Sequence, residues 1–171
     1  MSIKTIRAFS GTHGTGKTTS AYHQAQQEKL FSPGKSVHAM CDLEAFCPWP
    51  INRDGSEQTQ AWLFANQIQQ EISAIRRFDV VVTDRTVVDV IAYTRALGFH
   101  SQADGMLAYA EHHIQYYSSI HVKCIRYNKH HHQDGIRDMD DAFRQDVENT
   151  LVDIYQYLQD QGMIPGGLYF V

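Results

Sequence analysis

The feature of this sequence that most constrains its fold is a glycine-rich segment close to its start. Residues 11–18 read Gly-Thr-His-Gly-Thr-Gly-Lys-Thr and match the pattern G-x-x-x-x-G-K-[ST]. The run at about Thr5 to Ser10 is typical of a strand, and the run at about Gly16 to Leu30 is typical of a helix. A random chain of this length would match the pattern on the order of once in a few hundred. We therefore predict an α/β fold with a phosphate-binding loop.

The chemistry of this loop follows from its residue types. Glycines let the backbone curl around a phosphate, so that successive N–H groups and the positive end of the helix point at the anion. We expect the Lys17 ammonium to reach the β- and γ-phosphates of ATP, and the Thr18 hydroxyl to bind Mg²⁺. ATP and Mg²⁺ are the predicted cofactors. The predicted phosphate-binding residues are Gly11, Thr12, His13, Gly14, Thr15, Gly16, Lys17 and Thr18.

Short apolar runs alternate with longer segments of helical periodicity along the rest of the chain, a pattern typical of a mostly parallel sheet. Further strands are predicted near residues 36–40, 79–83, 120–127 and 168–171. Further helices are predicted near residues 56–78, 87–97, 103–117 and 139–160. We therefore predict a single domain over residues 1–171, with the three-layer α/β/α architecture of P-loop NTPases and a five-stranded, mostly parallel sheet.

The charge and the cysteines limit the kinds of partner. The 171 residues carry 15 basic and 19 acidic side chains, a formal charge of −4, whereas proteins that bind nucleic acid polymers usually show a basic surplus. No apolar run is long enough to cross a bilayer, and the first residues do not read as a signal peptide. Three cysteines without metal-type spacing favour a reduced compartment. We expect a cytoplasmic protein with neither a nucleic acid polymer nor a membrane as partner.

An acidic and a basic residue follow the apolar run Val80 to Val82. Carboxyl ends of parallel strands lie together at one edge of the sheet, so Asp84 and Arg85 are expected beside the phosphate loop. Asp84 could hold Mg²⁺ or polarise an acceptor hydroxyl, and Arg85 could clamp a phosphate with two hydrogen bonds. A surface ion pair is the alternative, which we consider weaker because the loop already marks the active edge. Thr86 and Asp89 read as a capping box of the next helix.

Three segments carry a resemblance to a known family, namely Gly11 to Thr18, Thr83 to Tyr93, and Asp134 to Arg137 before a long amphipathic helix. In these segments the chain resembles the P-loop kinases of nucleosides and nucleotides, and most of all the ribosylnicotinamide-kinase-like group of small ATP-binding proteins. The resemblance implies five parallel strands and a mobile lid that brings arginines over the transferring phosphate. It places Asp84 and Arg85 at the reaction centre and Arg137 in the lid.

The polar segment at residues 128–138 has the composition of a closing loop. Guanidinium groups that arrive on closure stabilise the charge of a transferring phosphoryl group. Arg137 is the first candidate for this role and Arg144 the second, although Arg144 could instead pair with Glu148 one turn along its helix. The three histidines at 130–132 are expected in a solvated loop, because three consecutive residues cannot easily aim at one metal ion.

The same resemblance implies that the segment at about residues 42–77 receives the acceptor. Asp42 could act as a general base, with Glu44 as a competitor, or it could be an ordinary helix-capping acid. On the following helix Gln60, Phe64, Gln67 and Glu71 form a stripe away from the apolar face. That stripe could recognise a nucleobase. A solvent-exposed face of the helix is at least as good an interpretation.

Together these features predict an ATP-dependent kinase that moves the γ-phosphoryl group to a small acceptor, most simply a nucleoside or nucleotide. The predicted catalytic residues are Lys17, Asp84, Arg85, Arg137 and Asp42, with Thr18 and Asp84 at the metal. A regulatory nucleotide switch, or an ATPase without a small-molecule acceptor, is the alternative. A homodimer is compatible with the sequence.

Overall fold

The computed structural model describes residues 5–125 and 141–171, and its centre is a sheet of five strands. The strands are β1 (Thr5–Ser10), β2 (Val37–Met40), β3 (Val80–Thr83), β4 (Tyr117–Val122) and β5 (Gly167–Phe170). Their order across the sheet is β2-β3-β1-β4-β5, and every neighbouring pair is parallel. The predicted five-stranded parallel sheet is confirmed.

Within the described residues, five helices cover the sheet. They are α1 (Lys17–Phe31), α2 (Glu57–Arg77), α3 (Val87–Ala96), α4 (His100–His113) and α5 (Asp141–Asp160). Three short 3-10 turns accompany them, at Leu43–Phe46, Asn52–Asp54 and Ile114–Tyr116. In residues 5–125 and 141–171, no helix combines the length and the apolar character that crossing a membrane requires.

The helices form layers on both faces of the sheet, which confirms the three-layer architecture. Helix α1 lies against one face, where its Ala21 packs with Phe9, Val80 and Val82. The other four helices contribute to a larger core on the opposite face, which contains alternate strand residues such as Val81. Strand β3 is buried along its whole length, as expected for a central parallel strand covered on both sides.

The fourth strand differs most from the sequence-based expectation. It was predicted at about residues 120–127 after a helix ending near Tyr117, but it begins at Tyr117 itself. The Tyr117 hydroxyl donates to both carboxylate oxygens of Glu71 at 2.9 Å in the core. This long-range contact, which no local pattern reveals, places the tyrosine in the strand rather than in the helix.

Helix α2 turns its polar stripe towards the protein interior, so the predicted solvated face is wrong. Gln60 and Gln67 are 1% exposed and Glu71 is fully buried. Ala65 and Ile72, from the apolar series of the same helix, face solvent. The core tolerates the amides and the carboxylate because they form hydrogen bonds with other buried groups, as buried polar groups usually do.

Candidate active site

The phosphate loop joins β1 to α1 in a conformation that only glycines adopt easily. Gly14 and Gly16 have φ angles of 75° and 84°, in the left-handed region. A side chain at Gly11 would collide with the backbone carbonyl of Lys123 at the end of β4. Since the first N–H groups of a helix have no partner within it, the start of α1 offers them to an anion.

Asp89 on α3 holds the beginning of this loop. Its carboxylate accepts hydrogen bonds from the Gly11 backbone N–H and from the Ser10 hydroxyl, both at 2.8 Å. The predicted capping box with Thr86 is also present, with the Asp89 carboxylate accepting from the Thr86 backbone N–H. Asp89 therefore anchors the loop as well as the helix, a second role that the sequence analysis did not include.

The middle of the loop is held from α3 and from α5. The Tyr93 hydroxyl on α3 accepts from the His13 backbone N–H at 2.9 Å and lies 2.6 Å from His13 Nδ1. On α5 the Arg144 Nε donates to the His13 carbonyl at 3.1 Å. Arg144, the second lid candidate, thus contacts the phosphate loop itself and also pairs with Asp141. Tyr93 was not predicted, although it lies one helical turn after Asp89 on the same face.

Lys17 is almost completely buried beneath the loop. Its Nζ donates to the Thr12 carbonyl at 2.8 Å, so the loop itself holds the ammonium in place. Burial lowers the pKa of Lys17 to about 8, against the opposing attraction of the Asp89 carboxylate. The role predicted for Lys17 at the phosphates stays a prediction.

The structure brings the two predicted metal ligands together. The Thr18 hydroxyl donates to Asp84 Oδ2 at 2.6 Å, and the Asp42 backbone N–H approaches the same oxygen at 3.3 Å. Burial raises the pKa of Asp84. A hydroxyl and one carboxylate suit Mg²⁺, which keeps several waters and takes its remaining ligands from phosphates. Within the described residues no cluster of three or more His, Cys, Asp or Glu could hold a metal by itself.

An ion pair between Glu44 and Arg85 forms the other side of the site. The Arg85 Nη2 lies 3.2 Å from Glu44 Oε1, and both side chains are largely buried. Burial opposes ionisation of Glu44, but the Arg85 guanidinium, a backbone hydrogen bond and the Lys17 ammonium together outweigh it and lower the pKa of Glu44 to about 2. The Arg85 guanidinium also lies over the Tyr93 ring, 5.8 Å from its centroid. The pKa of Arg85 is raised above its ordinary value, because the carboxylates of Glu44 and Asp89 outweigh the effect of its burial.

Each member of this pair keeps one buried polar atom without a hydrogen-bond partner among the described residues. These atoms are Glu44 Oε2 and Arg85 Nε. Buried polar atoms are rarely left unpaired in proteins, and a bound group is one explanation for such atoms. Asp42, the predicted base, is only half-buried and has a left-handed backbone with φ of 59°. The structure thus places Glu44, rather than Asp42, against the arginine.

The predicted lid lies outside the described residues. This applies to the segment 128–138 with Arg137, and to the three histidines at 130–132. Their roles stay predictions.

The parallel sheet, the glycine-rich loop and the Asp84–Arg85 pair at its edge define the P-loop fold of nucleoside and nucleotide kinases. A family model described as an AAA domain matches residues 7–163, and the chain belongs to this family of P-loop domains. The resemblance predicted from the sequence is confirmed at this level.

Solved kinase structures share this fold at low sequence identity. Thymidylate kinase from Ehrlichia chaffeensis is 16% identical, with a TM-score of 0.66 over 98% of this chain and 86% of its own. Thymidylate kinase from Candida albicans is 15% identical, with a TM-score of 0.68 over 98% and 83%. Deoxyadenosine kinase from M. mycoides, with products dCMP and dCDP, is 10% identical, with a TM-score of 0.66 over 97% and 88%. No protein with a curated description matches the sequence significantly.

Proposed function

We propose that this protein is an ATP-dependent kinase that transfers the γ-phosphoryl group to a hydroxyl of a small acceptor, in the class of nucleosides and nucleotides. The observation that carries the proposal is the Glu44–Arg85 pair, which keeps two buried atoms unpaired and whose charges act on Lys17 of the phosphate loop. Structural relatives that act on thymidylate and on deoxyadenosine support the substrate class.

On the phosphate side, the loop binds the β- and γ-phosphates and Lys17 neutralises their charge. The Lys17 ammonium exchanges its contact with the Thr12 carbonyl for phosphate oxygens when ATP binds. Thr18 and Asp84 would hold Mg²⁺, which would offset the negative charge of the phosphates. Asp89, Tyr93 and Arg144 keep the loop in its binding shape, so little reorganisation is needed on binding.

On the acceptor side, a hydroxyl is the group that fits both unpaired atoms. It can donate its hydrogen to Glu44 Oε2 while its oxygen accepts from Arg85 Nε. The oxygen then forms a bond to the γ-phosphorus, the bond from that phosphorus to the β–γ bridging oxygen breaks, and ADP leaves. The hydroxyl proton passes to Glu44 or to the transferred phosphate. With a pKa of about 2, Glu44 is ionised at neutral pH and mainly orients the hydroxyl.

The charge of Glu44 favours a nucleoside over a nucleoside monophosphate as acceptor. A phosphate dianion placed against a buried carboxylate would be repelled, whereas a hydroxyl would not. Arg137 remains the predicted lid arginine, and Arg137→Ala should lower turnover more than it weakens ATP binding. The reaction is proposed to occur in the cytoplasm, in keeping with the free thiols of Cys41, Cys47 and Cys124.

The deciding experiment measures ADP release with Mg²⁺ and a panel of nucleosides and nucleoside monophosphates. We expect at least one nucleoside to raise turnover well above the rate with ATP alone, and monophosphates to act less well. If only monophosphates raise turnover, the proposed hydroxyl acceptor is contradicted, but the assignment of the protein as a kinase stands. If no acceptor in the panel raises turnover, the alternative of a nucleotide switch or a simple ATPase replaces the kinase.

A further inference from the structure

A buried carboxylate on α2, that of Glu71, is linked by hydrogen bonds to the turn that contains Arg85. Glu71 is fully buried, and three side chains surround its two oxygens. The Gln67 amide nitrogen donates to Oε1 at 2.7 Å, and the Tyr117 hydroxyl lies 2.9 Å from both oxygens. His113 Nε2 lies 2.6 Å from Oε2. One carboxylate therefore organises hydrogen bonds from a helix, a strand and the end of a second helix.

Two of these donors also hold the backbone on either side of Thr86. The Gln67 amide nitrogen donates to the Arg85 carbonyl at 2.9 Å. The Tyr117 hydroxyl oxygen accepts from the Val87 backbone N–H at 3.2 Å. The Gln67 NH₂ group thus donates to both Glu71 and the Arg85 carbonyl, and the Tyr117 hydroxyl donates to Glu71 while its lone pairs accept from Val87.

We propose that Glu71 is a positioning residue for Arg85. It acts through Gln67 and Tyr117, which fix the backbone that carries the guanidinium against Glu44. This inference rests on the proposed kinase function, in which the Arg85 guanidinium contacts the reacting hydroxyl. Glu71 itself is fully buried in the core, and its link to the Arg85 carbonyl runs through Gln67.

The substitution Glu71→Gln tests the role with little change of volume. An amide offers one acceptor oxygen, so it cannot receive Gln67, Tyr117 and His113 together, and the turn loses its fixed orientation. We expect kcat to fall about tenfold while the KM for ATP changes less than twofold, because ATP phosphates are bound elsewhere. The matched control is Thr94→Val, which removes another buried polar contact of α2, between Thr94 and Gln60, away from the turn.

A double-mutant cycle separates positioning from general damage. With Arg85→Ala as background, measured by single-turnover rates, Glu71→Gln should cause no further loss of rate, whereas the loss of thermal stability should persist. If Glu71→Gln lowers the rate of the Arg85→Ala variant by a further tenfold, the role of Glu71 is merely structural and the proposal is overturned. Unchanged kcat in the single variant would overturn it as well.

Amide hydrogen exchange gives a readout that does not need turnover. We expect exchange at Val87 to quicken in Glu71→Gln and in Tyr117→Phe, a variant that keeps the buried ring, but not in Thr94→Val. If Val87 exchanges at the wild-type rate in Tyr117→Phe, the proposed link is absent and the inference fails. If the protein transfers no phosphoryl group at all, the proposed function fails, and the exchange data still decide whether Glu71 orders this turn.

Discussion

The phosphate side and the acceptor side of the site are built in different ways. The proposed phosphate side consists of consecutive residues, 11–18, which contribute backbone N–H groups and one lysine. The acceptor side joins Glu44, from a turn after β2, to Arg85, from the turn after β3. A contiguous motif can be identified from sequence alone, whereas a pair assembled from separate strands becomes specific only when the sheet order is known.

The largest expected effect lies on the phosphate side. Lys17→Ala removes the buried ammonium of the loop, so turnover of ATP should fall by orders of magnitude while the fold remains intact. Turnover and thermal unfolding measured on the same samples check this expectation. Lys29→Ala, which removes an exposed lysine of the same helix, should leave both unchanged. Near-normal turnover without Lys17 would rule out phosphoryl transfer at this loop.

A smaller but more selective effect is expected on the acceptor side. Glu44→Gln and Asp42→Asn neutralise two acids that are two residues apart, and only the first is paired with Arg85. We expect Glu44→Gln to lower the single-turnover rate by about 100-fold, because the acceptor hydroxyl loses the carboxylate that orients it. Asp42→Asn should lower it only a few-fold. The reverse order would restore Asp42 as the general base predicted from the sequence and would dismiss Glu44.

The pKa of Lys17 predicts how ATP binding depends on pH. Because burial lowers this pKa to about 8, the free protein loses the ammonium charge as the pH rises above that value. The affinity for a non-hydrolysable ATP analogue should therefore fall between pH 8 and pH 9.5, by up to about tenfold per pH unit. Titration calorimetry at several pH values measures this. Lys17→Arg, whose charge persists, should give a flat profile, and a flat wild-type profile would contradict the lowered pKa.

The smallest expected effect concerns the contacts that hold the loop. Tyr93→Phe keeps the ring beside Arg85 but leaves the buried His13 N–H without its acceptor, a loss of about 1–3 kcal/mol in the free energy of unfolding. ATP affinity should fall a few-fold. Chemical denaturation and calorimetry measure the two quantities, with Tyr157→Phe, an exposed hydroxyl paired with Glu111, as control. Equal stability of the two variants would show that Tyr93 does not support the loop.

Local patterns were sufficient for most of the fold. The first strand was predicted at its observed bounds, and helix α1 within one residue, because glycines and a Ser-Pro-Gly sequence mark their ends. The start of β4 was misplaced because Tyr117 follows a helical pattern in sequence and is held in the strand by Glu71. Hydrogen bonds between residues far apart in sequence decide such boundaries, and local secondary-structure propensity carries no information about these bonds.

The site shows the same division. The pairing of Thr18 with Asp84 followed from strand ends that meet at one edge of a parallel sheet. The choice of Glu44 over Asp42 could not be predicted in this way. Both acids follow β2, and only the 3-10 turn decides which of them faces inward. The role of Tyr93 in the site was not predicted, because an aromatic residue in a buried helix is ordinarily part of the core.

The inward polar stripe of α2 has a consequence for protein engineering. A redesign that places apolar residues inside and polar residues outside would replace the buried Gln67 with leucine and the exposed Ile72 with a charged residue. The second change removes apolar surface from water and should be harmless. The first would fill the same space without a hydrogen-bond donor for the Arg85 carbonyl, so any gain in melting temperature would come with a loss of catalytic rate. Redesign of this helix must therefore leave its interior amides in place and improve only its outer face.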